Sequence, residues 1–156
     1  MCDQMVMGPQ ATCKWMPSED GLYKANCDVS INRSKRRIGI GIVIRDHKGR
    51  VMASCSQSLN VNLSLKAAKL TAVLKSILFS LDYGLASSSF GLDEACIVKW
   101  ILDCSYRESV FGLILEDIDS LVSMASGMIF THADKKANRV AQGLARYATE
   151  SSDDTY

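Results

Sequence analysis

The hydrophobic pattern changes period once, near Ser64, and that change restricts the fold more than any other feature of the chain. Before it, residues 21–31 mix β-branched, aromatic and polar side chains, as strands do. Residues 32–37 form a polar, basic turn. Residues 38–46 are rich in isoleucine and too short for a comfortable helix, so they predict a second strand. Asp46 to Gly49 fits a four-residue turn closed by glycine, and residues 50–58 return as a third strand. Three strands joined by short turns predict an antiparallel meander. Gly39 and Gly41 predict a close approach of backbone or ligand to one face of the second strand.

After Ser64 the pattern takes helical spacing, with Leu65, Ala68, Ala72, Lys75 or Ser76, and Phe79 recurring every three or four residues. Ser64 suits the N-cap of this helix, and Gly84 sits where a C-terminal glycine belongs. A short strand over 87–92 follows, then a helix from Asp93 or Glu94 to 104. Residues 111–123 predict an amphipathic helix with Leu115, Ile118, Leu121 and Val122 on one face. A strand over 127–132 and a helix over 135–148 complete the order. Strands followed by alternating helices and strands predict an α/β domain with a five-stranded mixed sheet. In it the three-strand meander is followed by parallel strands flanked by helices.

A chain of 156 residues fits one such domain, drawn here over 15–148. A flexible segment over 1–14 and a disordered tail over 149–156 are expected at its ends. The six cysteines are scattered without a CxxC pair, and there are two histidines, so zinc is not expected. Reduced thiols place the chain in a cytoplasmic or nuclear setting. No apolar run is long enough to span a membrane. The net charge of +1 supplies no global field, so any contact with nucleic acid has to come from a local patch.

Four segments, in order, resemble the ribonuclease H type 1 superfamily, and within it the plant reverse-transcriptase-like group related to non-LTR retroelements. The first holds Trp15, Pro17, Gly21, Lys24, Asn26 and Asp28. The second holds Gly39, Gly41, Arg45, Asp46 and Gly49. The third holds Ala67, Ala68, Lys69, Leu70 and Ala72, on the helix that ends at Gly84. The fourth holds His132, Lys135, Asn138, Ala141, Leu144 and Ala145. The resemblance implies a ribonuclease H-like fold and endonucleolytic hydrolysis of RNA in RNA/DNA hybrids, with two Mg²⁺ ions held by four carboxylates.

Carried onto this chain, the resemblance implies site roles for Asp28, Asp93 and His132, with Asp28 and Asp93 as the metal ligands. Glu94 rivals Asp93 by one position, and Asp93 is also suited to cap the following helix. At the other two carboxylate positions stand Lys69, an ammonium that repels Mg²⁺, and Gln142, an amide without charge. Val29 replaces the small residue that follows the first aspartate. Two basic clusters, Arg33, Lys35, Arg36 and Arg37 on the first turn and Lys135, Lys136 and Arg139 at the last helix, are expected to flank the site and hold phosphates.

The expectation is therefore a ribonuclease H-type domain that binds RNA/DNA hybrid or double-stranded RNA weakly, with catalysis lost or weak. The alternatives are an active Mg²⁺-dependent hybrid ribonuclease and a protein-interaction module that keeps only the fold.

Overall fold

The computed structural model describes residues 21–85, 89–103, 109–125, 127–151 and 155–156. Trp15, Pro17 and the segment over 1–14 lie outside them. Strands β1 (Lys24–Asn32), β2 (Arg37–Arg45) and β3 (Val51–Leu59) form the meander. Helix α1 (Leu65–Asp82) crosses to β4 (Ser89–Leu92). Helices α2 (Ala95–Leu102) and α3 (Gly112–Met124) lead to β5 (Ile129–His132). A 3-10 turn, Lys135–Asn138, then runs into α4 (Arg139–Glu150).

The sheet order is β3-β2-β1-β4-β5. β1 pairs antiparallel with β2, and β2 with β3, while β4 runs parallel to both β1 and β5. This is the five-stranded mixed sheet that the pattern predicts. Ser64 caps α1 by accepting a hydrogen bond from the Ala67 amide, and Gly84 follows the helix at a φ of +70°. A left-handed position of that kind favours glycine.

The two faces of the sheet are covered for different reasons. Ile38, Ile40, Ile42 and Ile44 of β2 point to one face and are fully buried with Leu70, Val73 and Ile77 of α1. Phe90 and Phe130 extend that core across β4 and β5, their rings stacked 5.1 Å apart. On the other face Gly39 and Gly41 leave room for α4. A methyl at Gly41 would land on the Ala141 carbonyl oxygen, and one at Gly39 on that of Ala145. Ala141, Ala145 and Ala148 recur along the facing side of α4 and are buried. Glycine on the strand and alanine on the helix thus let two backbones meet, which accounts for the close approach expected at β2.

Three expectations need correction. Asp93 does not cap α2. Glu94 holds the cap position, its side chain makes no capping bond, and the helix starts at Ala95. The last helix is not α-helical from residue 135; its first four residues form a 3-10 turn because the Asp134 side chain accepts from the Lys136 amide and sets a tight start. The tail is not free from residue 149. Thr149 and Glu150 belong to α4, where Thr149 packs toward Gly39. Arg37 donates to the Ser151 carbonyl at 3.0 Å, and Thr155 bridges to Ser56 through two backbone hydrogen bonds.

Candidate functional site

The topology brings Asp28 and Asp93 side by side where β4 ends against β1. β4 pairs only with Lys24, Ala25 and Asn26 of β1, and then stops at Leu92. β1 continues, so Asp28 stands just beyond the end of β4, and Asp93 is the first residue after it. This lies at the carboxyl end of β4, against the middle of β1, and open α/β sheets commonly place ligands at such strand ends. Asn26 fixes the junction by donating to the Gly91 carbonyl at 3.3 Å. Asn138, at the end of the 3-10 turn, donates to the Cys27 carbonyl at 2.9 Å and ties the start of α4 to the same stretch of β1. The Oδ1 of Asn138 is buried without a hydrogen-bond partner among the described residues.

Lys69, on the second turn of α1, reaches into this junction. Its Nζ lies 2.8 Å from Asp93 Oδ1, 3.3 Å from Glu94 Oε2 and 4.0 Å from Asp28 Oδ1. The Lys69 side chain is 13% exposed, and those of Asp28 and Asp93 are 5% exposed. Burial opposes the charge on Lys69. The hydrogen bond to Asp93 and the charges of Asp93 and Asp28 outweigh it and hold the ammonium above its ordinary pKa.

Asp28 is in the opposite position. Burial and then the Asp93 charge push its carboxyl above the usual carboxylate range, against the Val29 amide, Lys69 and Lys135. Glu94 is resisted by burial yet held below its ordinary value by the Cys96 thiol and Lys69. Cys27, on the floor of the same pocket, is pushed up to about 12 by burial and is a neutral thiol there.

These groups rim a small, shallow pocket lined also by Cys27, Ala72, Val73, Leu92 and Ile97. The side chains present do not fit a divalent metal. The carboxylates that would chelate it are bonded to an ammonium, and that ammonium repels a second cation. Among the described residues no group of three or more His, Cys, Asp or Glu side chains is arranged to hold a metal ion.

The remaining expected site residues stand apart from this cluster. Gln142 is half-buried on α4, next to Ala141, which lies against the Gly41 that pairs with Asp28. It is therefore level with Asp28, but no described hydrogen bond joins them. His132 is exposed at the end of β5 opposite Leu92, with no described contact to Asp28 or Asp93. Lys135 is exposed yet close enough to act on the Asp28 charge.

Arg33, Lys35 and Arg36 are exposed on the turn beyond β1, at the same end of the sheet as Asp28. Arg37 is held otherwise. It donates to Asn60 at 3.2 Å and to the Ser151 carbonyl, so it anchors the end of α4. Lys136 and Arg139 are exposed at the start of the last helical segment.

Asp93 and Glu94, alternatives in the sequence, both bond Lys69. Lys66, three residues before Lys69 on α1, is a further charged residue beside the site that the sequence motifs do not single out. Lys66 lies 4.9 Å over the Trp100 ring and adds positive charge beside Glu94. The three-residue spacing of the two lysines, which puts them on one helix face, was the available signal.

The family model for reverse transcriptase-like proteins matches residues 26–148. The chain belongs to that family. None of the curated proteins matches it. Among solved structures, it is similar to a ribonuclease H1 isolated from compost by a metagenomic approach. That match has a TM-score of 0.74 and 18% identity, and covers 83% of this chain and 96% of the other. The ribonuclease H1 of the halophilic archaeon Halobacterium salinarum matches with a TM-score of 0.71 and 16% identity, over 83% and 98% of the two chains. The compost enzyme in complex with RNA/DNA hybrid matches at 0.72 and 17% identity, over 82% and 96%. The shared feature is the ribonuclease H-like fold. No helix among the described residues is long and apolar enough to cross a membrane.

Proposed function

We propose that this chain is a ribonuclease H-type domain that binds RNA/DNA hybrid or double-stranded RNA and no longer cleaves it. On its motifs we place it with the plant, retroelement-related group. The observation that carries the reading is the Lys69 ammonium, bonded to Asp93 and Glu94 and 4.0 Å from Asp28. Hydrolysis in this family rests on carboxylates that gather two cations around the scissile phosphate. Here Asp28 and Asp93 face a cation supplied by the chain itself, and Gln142 offers no charge at the fourth position. What remains suited to a duplex is positional: a shallow pocket at the end of β4, with Arg33, Lys35 and Arg36 beyond it and Lys135 and Lys136 beside it. Such groups grip phosphates and carry little sequence information.

The test incubates the full chain with labelled RNA/DNA hybrid in Mg²⁺ and separately in Mn²⁺, and measures binding to the same hybrid by anisotropy. The expected outcome is no cleavage in either ion and binding in the range of non-specific contacts, Kd on the order of 10⁻⁴–10⁻⁶ M. Robust turnover that Asp28→Asn abolishes would overturn the loss of catalysis. Absence of both cleavage and binding would leave a protein-interaction module.

A further inference from the structure

The net charge of +1 conceals a separation of sign between the two helical layers. Residues 65–125, which carry α1 to α3, hold eight acidic and five basic side chains. Residues 135–150, the last helical segment, hold four basic side chains and one acidic. α4 lies on the sheet face opposite α1, and its outer surface carries Arg139 and Arg146, with the exposed Glu150 one turn beyond Arg146.

Along that surface Arg139, Val140, Gly143, Arg146 and Tyr147 are all exposed, Val140 at 47% and Tyr147 at 54%. Their spacing places them on one broad face of the helix. Among the described residues no acidic side chain pairs with Arg139 or Arg146. Gly143 sits between them, and a Cβ there would meet nothing within 4 Å. Packing therefore gives no reason for glycine at this position, unlike at Gly39 and Gly41, whereas glycine weakens a helix interior. The effect is a saddle of bare backbone between two guanidinium groups, bordered by an aliphatic and an aromatic side chain.

We infer that the outer face of α4 binds a single strand of nucleic acid across this saddle. Arg139 and Arg146 are seven residues apart, about 10.5 Å along the helix, or roughly three nucleotides of a stacked strand. The two arginines hold phosphates at either side, the sugar-phosphate backbone crosses at Gly143, and the Tyr147 ring receives a base. An aromatic face serves an unpaired base and not one inside a duplex, which favours a single strand over a hybrid here. The inference rests on the reading of this chain as a nucleic-acid-binding domain and adds a second surface on the other side of the sheet.

The experiment measures anisotropy of a labelled single-stranded RNA of twelve nucleotides and of an RNA/DNA hybrid, each with the full chain at low salt. The parent is compared with Arg139→Ala/Arg146→Ala, with Gly143→Gln and with Tyr147→Ala, and every variant is melted as a fold control. Gly143→Gln adds bulk without charge or apolar surface. Single-strand affinity is expected to fall about tenfold for the double variant and roughly threefold or more for Gly143→Gln and Tyr147→Ala. Hybrid affinity should hold for Gly143→Gln and Tyr147→Ala, while the double variant, which also takes Arg139 from the cluster beside the site, is read on the single strand alone. Melting temperature should hold for the double variant and Tyr147→Ala and rise for Gly143→Gln, because glutamine suits a helix interior better than glycine. A double variant that binds single-stranded RNA as tightly as the parent overturns the inference. So does a parent that binds hybrid and no single strand, an outcome that leaves the proposed function standing. A parent that binds neither defeats both.

Discussion

At the scale of single residues, Lys69 determines the character of the site. An ammonium bonded to two carboxylates and near a third is stabilised by them, and they by it. Removing it strands several buried negative charges, which costs about 3 kcal/mol or more. The groups that face it are Asp93 from the end of β4, Asp28 from β1 and Glu94 from the start of α2, with Lys66 and Lys135 nearby. Because the folded state raises the Lys69 pKa above its ordinary 10.5, its contribution is complete below that pH and is lost as pH rises through the raised value. The melting temperature of Lys69→Met should thus fall well below that of the parent at pH 7. The gap should narrow above pH 10.5, and also toward the ordinary carboxylate range, where protonation removes the stranded charges. A gap constant across pH would show that Lys69 acts through packing alone. The reverse substitution tests the same geometry. Lys69→Glu places a fourth carboxylate among Asp28, Asp93 and Glu94 and should destabilise the metal-free protein. It should also introduce a melting temperature that rises with millimolar Mg²⁺ through linkage, while the parent responds little. Equal stabilisation of both by Mg²⁺ would mean that Lys69 does not stand at the metal position.

At the scale of elements, the meander, α1 and the parallel crossover were legible because each has its own period and its own punctuation. Ser64 and Gly84 mark the two ends of α1 where sequence reading places them. The limits were set by interactions between elements. Whether Asp93 caps α2 depends on what else lies within its reach, and the reach of Lys69 from α1 is a tertiary fact with no local signature. The same holds for the chain after residue 148, where contact with Gly39, the Arg37 bond and the Ser56 pairing hold residues whose polar composition suggested a loose end. The site itself was partly legible. Asp28 and Asp93, the two carboxylates to which the resemblance gives site roles, stand side by side where β4 ends against β1. The joint use of Glu94, and the distance of His132 and Gln142 from any described bond in the cluster, required the fold.

At the scale of the whole molecule, an almost neutral chain carries a basic end and a more acidic helical layer, so its binding to a duplex should be local and strongly salt-dependent. Arg36 and Arg37 look equivalent in sequence, but Arg37 is committed to Asn60 and Ser151, and replacing it would test α4 docking instead of binding. The informative variant removes Arg33, Lys35 and Arg36, all exposed and beyond the end of the strand that holds Asp28. Each phosphate neutralised on a duplex contributes about 0.9 to the slope of log K against log salt. If the three side chains hold phosphates, Arg33→Ala/Lys35→Ala/Arg36→Ala should weaken hybrid binding at low salt and flatten that slope by roughly 2 to 3. The loss should shrink as salt rises and the Debye length falls to about 10 Å and below. A variant with the parent's slope and affinity would show that the turn is merely a solvated surface. Phosphate contacts would then have to come from Lys135 and Lys136, beside the Asp28 carboxyl.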